Sequence, residues 1–447
     1  MKTPIADFVN HYAKKNMSRF HMPGHKGTAF LGCEALDITE VAGADSLYEA
    51  DGIIAESEEN ATQIFGTGRT VYSTEGSSQC IRAMLYLAVT NRKTGTKPVV
   101  VAARNVHKSF VYAAALLDFE VVWLWPAGDM NSLCSCQVSK EMVEDTLRNL
   151  GEPPAAVYLT SPDYLGQQQD IKGIAETCHK YGTILAVDNA HGAYLHFTTP
   201  KMHPIDLGAD ICSDSAHKTL PVLTGGAYLQ ISKDAPEEFQ KSAKSAMALF
   251  GSTSPSYLTM ISLDMCNKYL SDGFEERLKY TVESVKVLGR NLEDAGWKAI
   301  VSEPLKLTVQ MPEGCNGCEF AQHLREQHIE CEYADPDFIV FMFTTENTKE
   351  DILKIEKVFG VNQRQYNDSG KLKPVKCEQV ISVRKAVFAR HEEIPVQEAK
   401  GRICASPAVS CPPAIPIVVS GERIDENAIS LFEYYGISNV DVITEMC

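Results

Sequence analysis

Between about residues 60 and 235 the sequence alternates short apolar, β-branched runs with amphipathic stretches of helical spacing. Asp170 is placed to cap the last of these helices and Gly182 to end it. Strands that are apolar throughout and separated by helices predict an α/β fold, whose largely parallel sheet is covered on both faces. The predicted strands are residues 98–102, 155–159, 184–187, 209–213 and 226–231, and the predicted helices are 77–92, 107–117, 138–150 and 171–181.

Polar residues follow four of these strands, at the point where each one ends. Open parallel sheets bind ligands at the carboxyl ends of their strands, so we expect these side chains to line one site. They are Asn105 and His107, Ser161 and Asp163, Asp188, and residues 215–218.

The segment SDSAHKTLP, residues 213–221, places Lys218 beside His217 and among small hydroxyl residues. A lysine at the rim of a sheet, near groups that can hold a phosphate, favours a Schiff base with pyridoxal 5'-phosphate (PLP). The alternative for this residue is a surface lysine after a strand.

The strand before it, residues 184–188, ends in Asp188. PLP acts as an electron sink while its pyridine nitrogen is protonated, and a fixed carboxylate keeps that proton in place. We therefore predict this role for Asp188, with the capping of a strand end as the alternative.

Two further segments supply candidates for the rest of such a cofactor. YSTEGSS, residues 72–78, precedes a predicted helix, where Gly76 allows a tight turn and Ser77 and Ser78 could hold a phosphate. His107 is predicted at the same rim, where its ring could stack on the pyridine.

Composition and charge exclude several classes of function. The net charge of −16 argues against nucleic acid or an anionic membrane as a partner. No apolar run approaches the ~20 residues of a membrane span, and the first residues lack a signal-peptide pattern, so we expect a cytoplasmic protein with reduced cysteines. We predict no metal site, because Cys315 and Cys318 lack a second pair and His21 and His25 lack a third ligand.

The domain boundaries are predicted from changes in pattern. Residues 1–265 form an N-terminal segment and large domain, 266–362 a small α+β domain, and 363–447 a C-terminal domain that begins in a polar linker. In the last domain the sequence predicts a helix over 393–399 and a proline-rich strand region over 411–416.

Several short motifs follow one another along the chain. They are FHMPGHKG (20–27), GSS (76–78), RNVHKS (104–109), VDNAHG (187–192), SDSAHKTLP (213–221), STSPSY (252–257), GRI (401–403) and PPAIP (412–416). Taken together, these motifs resemble the PLP-dependent ornithine/lysine/arginine decarboxylase family, whose members have the aspartate-aminotransferase-like fold (fold type I). The short form is the closer match, because the flavodoxin-like N-terminal wing of the long form has no counterpart. Asn189 departs from the pattern where the family often has Glu, and Ala414 where it usually has Gly.

The resemblance implies a role for each candidate residue. Lys218 forms the Schiff base, Asp188 holds the pyridine nitrogen, His107 stacks on the ring, and either Lys218 or His217 is the proton donor. The active site would be shared within a homodimer, with Ser252 or Thr253 reaching the partner's phosphate. The remaining residues expected around the cofactor are Gly76, Ser77, Ser78, Ser161, Asp163, His191, Ser215 and His217.

The reaction implied by the resemblance is α-decarboxylation of arginine, lysine or ornithine, as in polyamine biosynthesis or acid resistance. Asp45 and Glu332 are the candidate acids for the distal basic group of the substrate, and His25 belongs to a candidate active-site loop. The alternatives are another PLP reaction on the same scaffold (an aminotransferase, an aldolase or a carbon–sulfur lyase) and an inert homologue that regulates an active partner.

Overall fold

The computed structural model describes residues 1–92, 95–126, 132–300, 302–366, 375–407 and 413–445. These residues form two compact units, one comprising Met1–Lys93 with Ile184–Lys279 and the other Thr94–Thr183 with Tyr280–Cys447. Within the described ranges, no helix combines the length and the apolar character that a membrane span requires.

Helices and strands alternate along most of the described chain. The α-helices are α1 Pro4–Lys14, α2 Ile53–Phe65, α3 Ser77–Thr90, α4 Lys108–Leu117, α5 Lys140–Asn149, α6 Ile171–Lys180, α7 Ala216–Thr219, α8 Glu237–Leu249, α9 Tyr257–Ser271, α10 Phe274–Asp294, α11 Gly317–Glu326, α12 Lys349–Phe359, α13 Val383–Val387 and α14 Glu426–Tyr434. The strands are β1 Arg69–Ser73, β2 Val99–Ala103, β3 Glu120–Leu124, β4 Ala156–Thr160, β5 Leu185–Asp188, β6 Ile211–Asp214, β7 Ala227–Ile231, β8 Lys298–Ile300, β9 Lys306–Gln310, β10 Tyr333–Ala334, β11 Phe338–Met342, β12 Arg390–Pro395 and β13 Asn439–Glu445.

In the first unit the strands lie in the order β1-β7-β6-β5. β5 and β6 are parallel, with Asp188 opposite Ser213, whereas β7 runs antiparallel to both of its neighbours. α3 packs against β5, β6 and β7. The parallel pair therefore ends at one edge, directly before residues 189–192 and the short helix α7.

In the second unit β2 lies between β4 and β3, and all three strands are parallel. A separate antiparallel sheet has the order β10-β11-β9-β8. Its apolar side chains pack with α10, α11 and α12 around a core that includes Leu288, Val309, Leu324, Ile339 and Phe359.

The C-terminal residues of the second unit are joined to the end of β2 by a buried ion pair. Arg104 donates to the Glu422 carboxylate at 3.3 Å, and the exposed fractions of the two side chains are 6 and 2 %. Arg104 also donates to the carbonyls of Pro416 and Ile417, and it stacks over Trp123 and Trp125. Burial raises the pKa of the Glu422 carboxyl, and the Arg104 charge opposes that rise.

The predicted α/β fold with a mostly parallel central sheet is confirmed. The five predicted strands are present, with ends that shift by two residues at most. Asp170 caps α6 by accepting from the Gly173 amide at 3.1 Å, and Gly182 has the left-handed φ of 68°. β1 and β3 were not predicted from the sequence.

The tail corrects one prediction. The expected helix over 393–399 is wrong, because Arg390–Pro395 is the strand β12, which pairs antiparallel with β13, and a short 3-10 helix follows at Val396–Glu398. In the predicted strand region over 411–416, residues 411 and 412 lie outside the described residues and 413–416 form no strand. Ala414 has a φ of 59°, the left-handed conformation that explains the glycine expected at this position.

Candidate active site

Lys218 lies on α7, immediately beyond the carboxyl end of β6. Its amide donates to the Ser215 carbonyl at 3.0 Å, which fixes the turn between strand and helix. The half-buried side chain brings Nζ within 3.0 Å of Nε2 of His191, which is 4 % exposed. The amine is thus held by an imidazole that can exchange a proton with it.

Asp188 is the last residue of β5, next to the strand that leads to Lys218. Its carboxylate is 3 % exposed, and Oδ1 accepts from the Ala190 amide at 3.2 Å. Parallel pairing of β5 and β6 therefore places this acid and the lysine at the same edge of the sheet, as predicted.

The N-terminus of α3 carries a group of hydroxyls in the same unit. Ser215 Oγ donates to Ser77 Oγ at 2.8 Å, and Ser78 lies in the first turn of α3. Gly76 precedes the helix with a φ of 73° and no side-chain cap, and its amide donates to the Gly225 carbonyl at 2.7 Å. Uncapped amides and hydroxyls at a helix N-terminus favour a phosphate.

The polar groups at this edge of the first unit correspond to the groups that PLP requires. The cofactor needs an amine for its aldehyde carbon, a carboxylate for its ring nitrogen and a set of donors for its phosphate. Lys218, Asp188 and the Ser77–Ser215 pair supply these three groups from one edge of one unit. The residues present therefore fit PLP.

His217 and the loop after α8 complete the predicted site residues of this edge. The ring of His217 donates from Nδ1 to the Gly226 carbonyl at 2.9 Å, so Nε2 is the acceptor nitrogen when the ring is neutral. Ser252 and Thr253 are exposed, and the Ser252 amide bonds to the Glu75 carboxylate.

Two other candidates of the first unit are engaged in local structure. The Asp45 carboxylate accepts from the amides of Ser46, Asp51, Gly52 and Ile54 at the start of α2; burial raises its pKa, but these bonds outweigh burial and lower it overall. His25 Nδ1 accepts from the Gly27 amide, and Nε2 lies 3.2 Å from Asp37.

In the second unit, His107 and Ser161 follow the neighbouring parallel strands β2 and β4. His107 caps α4, where Nδ1 accepts from the amide and the hydroxyl of Ser109 at 3.1 and 2.9 Å. Ser161 is buried, and its Oγ accepts from the Gln169 amide at 3.1 Å. Both side chains lie beyond the carboxyl end of their strand, as the sequence predicts.

Asp163 and Glu332 are the acids of this unit that the sequence singled out. Asp163 is fully buried, its Oδ1 accepts from the amides of Leu165 and Gln167, and burial raises its pKa to about 6. Glu332 is half-buried and accepts from the Tyr164 hydroxyl at 2.9 Å.

A buried cluster behind the lysine was missed by sequence reasoning. Asp214, the last residue of β6, is bonded to Asn189, His203 and Gln230, and none of the four side chains is more than 1 % exposed. The available signal was an acid at the end of a buried strand, since acids are rarely buried without partners.

Two family models match most of the chain. The model described as "Orn/Lys/Arg decarboxylase, major domain" matches residues 3–299, and "Orn/Lys/Arg decarboxylase, C-terminal domain" matches residues 362–440.

Individual proteins agree with this match. The chain is 29% identical to the protein YaaO of Bacillus subtilis (strain 168) over 458 residues, which are 96% of this chain and 93% of YaaO. It is 30% identical to an arginine decarboxylase of the same organism over 465 residues, 96% of this chain and 92% of the relative. The solved lysine decarboxylase LdcF of Francisella novicida has a TM-score of 0.81 at 17% identity, over 99% of this chain and 81% of LdcF, and so shares its fold.

Proposed function

Because the chain belongs to the Orn/Lys/Arg decarboxylase family and is a PLP-dependent amino-acid decarboxylase of fold type I, we propose that it removes the α-carboxylate of a basic amino acid. The products would be carbon dioxide and the corresponding amine. The observation that carries this proposal is the pairing of Lys218 Nζ with His191 at 3.0 Å, beside Asp188 on the adjacent strand.

When bound, PLP supplies the electron sink that takes up the electrons left by the departing carboxylate. The residues of this chain bind, orient and protonate. In the proposal Ser77, Ser78, Ser215 and the first amides of α3 hold the phosphate, with His217 at the same edge. Asp188 keeps the proton on the ring nitrogen.

The remaining roles concern the ring face and the returning proton. His107 is proposed to stack on the pyridine, and its bonds from Ser109 fix the imidazole and leave the proton on Nε2 of the neutral ring. Lys218 Nζ and His217 are the two candidates for the donor to the α-carbon. His191 supports Lys218, because the observed hydrogen bond gives the amine a neighbour that can supply the next proton.

The distal end of the substrate carries a positive charge and needs an acid. Asp45 already accepts several amide bonds, whereas Glu332 accepts from the Tyr164 hydroxyl and stays half-buried, so Glu332 is the first acid to test. Arginine is the first substrate to test, because the Bacillus subtilis relative at 30% identity is an arginine decarboxylase.

The proposal includes a homodimer that shares its active sites, in the cytoplasm, with a role in polyamine biosynthesis. The dimer is supported by apolar side chains on residues 20–31, where Phe20, Phe30 and Leu31 are 96, 77 and 90 % exposed. Exposed apolar groups so close together favour coverage by a second chain.

Product analysis tests the reaction and the substrate together. The purified protein with PLP is incubated with arginine, lysine and ornithine, beside Lys218→Ala and, as a matched control, a substitution of the exposed Lys233 by alanine. We expect one amine (agmatine, cadaverine or putrescine) from the wild type and from Lys233→Ala, and none from Lys218→Ala. Keto-acid or lyase products without an amine would contradict decarboxylation and favour an aminotransferase, aldolase or lyase.

A further inference from the structure

The buried carboxylate of Asp214 is the centre of a hydrogen-bond network in the first unit. Oδ1 accepts from Asn189 Nδ2 at 2.6 Å, and Oδ2 accepts from Gln230 Nε2 and His203 Nε2, both at 3.0 Å. His203 Nδ1 accepts from the Ile205 amide at 3.3 Å, which leaves the ring proton on Nε2. Thr70 donates to the carbonyl end of Gln230 at 2.5 Å. Each oxygen of the carboxylate therefore has a donor.

The network joins the two segments that carry the proposed cofactor-binding groups. Asn189 directly follows Asp188, and the backbone N–H of Asn189 donates to the Ser213 carbonyl at 3.0 Å. Asp214 directly precedes Ser215, the residue that begins the turn to Lys218. One side-chain bond, Asn189 to Asp214, thus ties the end of β5 to the end of β6.

Close packing keeps the Asn189 side chain in this position. A Cβ on Gly192 would lie 2.0 Å from Asn189 Oδ1, so this site has room only for glycine. Since His191 lies between these two residues, the loop that carries the Lys218 partner is packed onto the same amide.

The chemistry of the network points to positioning and not to stability alone. A buried carboxylate is costly to desolvate, and an apolar core of similar volume is often as stable. A polar network of this kind has a clear use where it fixes the orientation of groups that must act together.

We propose that Asp214 is a positioning residue, which acts through Asn189 to hold Asp188 and the Lys218 turn in the geometry that binds the cofactor. This inference rests on the proposed function only in that Asp188 and Lys218 bind PLP. It does not depend on which bond of the substrate is broken.

A metal site is the competing interpretation of the same residues. Ligand atoms of His203, Cys212 and Asp214 lie within 4.8 Å of one another. The Asp214 oxygens, however, already accept hydrogen bonds from three nitrogen donors, and burial, together with the Asp214 charge, raises the pKa of the Cys212 thiol. Both effects oppose a thiolate–metal bond in this state.

The asymmetry of the Asn189–Asp214 pair allows a swap experiment. Asp214→Asn places two amides face to face, and Asn189→Asp places two carboxylates face to face. The double variant restores one donor and one acceptor, because the new amide at position 214 would donate to the new carboxylate at position 189. The oxygen of the new amide at position 214 could still accept from His203 and Gln230. The measurements on each purified protein are the visible absorption of the bound cofactor, its dependence on pH and the Kd for PLP.

We expect each single variant to raise the Kd for PLP by about tenfold or more, the effect of losing a hydrogen bond to a charged group, and to shift the pH midpoint of the absorption. The double variant should recover most of both losses. Cys212→Ala is the matched control, because it removes only a weak thiol donor, whose sulfur lies 3.8 Å from Asp214 Oδ1, and keeps the three nitrogen donors; it should leave both readouts unchanged.

His203→Phe keeps the experiment decisive if the single variants do not fold. Phenylalanine retains the ring that packs near Phe65 but removes the Nε2 donor, so we expect a smaller change in the same direction. Wild-type affinity and absorption in folded Asp214→Asn or His203→Phe would overturn the proposal. So would one equivalent of metal in the wild type that is lost in Cys212→Ala.

The proposed decarboxylation can be contradicted independently of the positioning role of Asp214. A wild-type protein that binds PLP but forms no amine would contradict decarboxylation and leave the swap experiment readable. A wild-type protein with no cofactor absorption would remove the premise of both.

Discussion

The hydrogen bond between Lys218 and His191 places an imidazole beside the amine that we propose to bind the cofactor. His217 and His107 are each bonded through Nδ1, but in opposite senses: His217 faces a carbonyl, and His107 faces an amide and a hydroxyl. The neutral rings therefore carry their protons on different nitrogens. The neighbour that bonds to Nδ1 of each histidine therefore determines which ring nitrogen can donate a proton and which can accept one.

Asp163 provides a residue-scale prediction, because its pKa is raised to about 6 by burial. The unfolded chain ionises this carboxyl near its usual value of 3.8, whereas the folded protein keeps it protonated until about pH 6. Stability from this group is therefore present at low pH and lost as the pH rises through 6, by up to about 3 kcal/mol.

Asp163→Asn removes this titration while keeping the oxygen that accepts from Leu165 and Gln167. Relative to the wild type, the free energy of unfolding of the variant should increase between pH 4 and pH 7. Urea denaturation at fixed protein concentration measures it. Parallel pH profiles for the two proteins would show that Asp163 ionises normally in the folded state.

At the scale of elements, the start of α3 illustrates how a helix contributes to a site without side-chain caps. The helix spans 14 residues, begins after Gly76 and has no acidic residue in its first turn. No side-chain cap and no acidic side chain of the first turn therefore neutralises the positive end of the helix dipole, so an anion such as a phosphate is favoured there.

Ser77→Ala tests this helix. The substitution removes the hydroxyl that accepts from Ser215, and we expect the Kd for PLP to rise by about tenfold, the effect of one hydrogen bond to a charged group. Ser139→Ala is the matched control, because Ser139 caps α5 by accepting from the Met142 amide. It should cost about 1 kcal/mol of stability and leave the Kd unchanged. Equal effects of the two variants on the Kd would contradict a phosphate site on α3.

The sequence predicts local features of the elements better than contacts between distant ones. Lys218, Asp188 and Ser77 could be singled out because each lies near the end of a strand or the start of a helix, and parallel strands bring such ends together. The Asp214 network was missed because Asn189, His203 and Gln230 reach it from separate segments. The tail prediction failed for the same reason, since Arg390–Pro395 becomes a strand only by pairing with β13.

At the scale of the whole molecule, the exposed apolar side chains on residues 20–31 provide a test of the proposed homodimer. Leu31→Asp should convert the protein to a monomer and weaken PLP retention, because a buried, unpaired charge is costly at an apolar interface. Leu353→Asp is the matched control on α12, where Leu353 is 60 % exposed. Analytical ultracentrifugation measures the oligomeric state of both variants. A dimeric Leu31→Asp protein would place the interface elsewhere.

The Arg104–Glu422 pair bears on whether the C-terminal part is a separable module. Sequence models treat residues 362–440 as a domain of their own, yet Glu422 neutralises a guanidinium three residues before His107. The Lys108 amide also donates to the Ala414 carbonyl, next to the same histidine. A chain truncated after the small antiparallel sheet would keep Arg104 but lose its counter-charge and its carbonyl partners. We therefore expect that residues 362–440 can be exchanged with those of a relative only when both partners of the Arg104–Glu422 ion pair are present in the resulting chain.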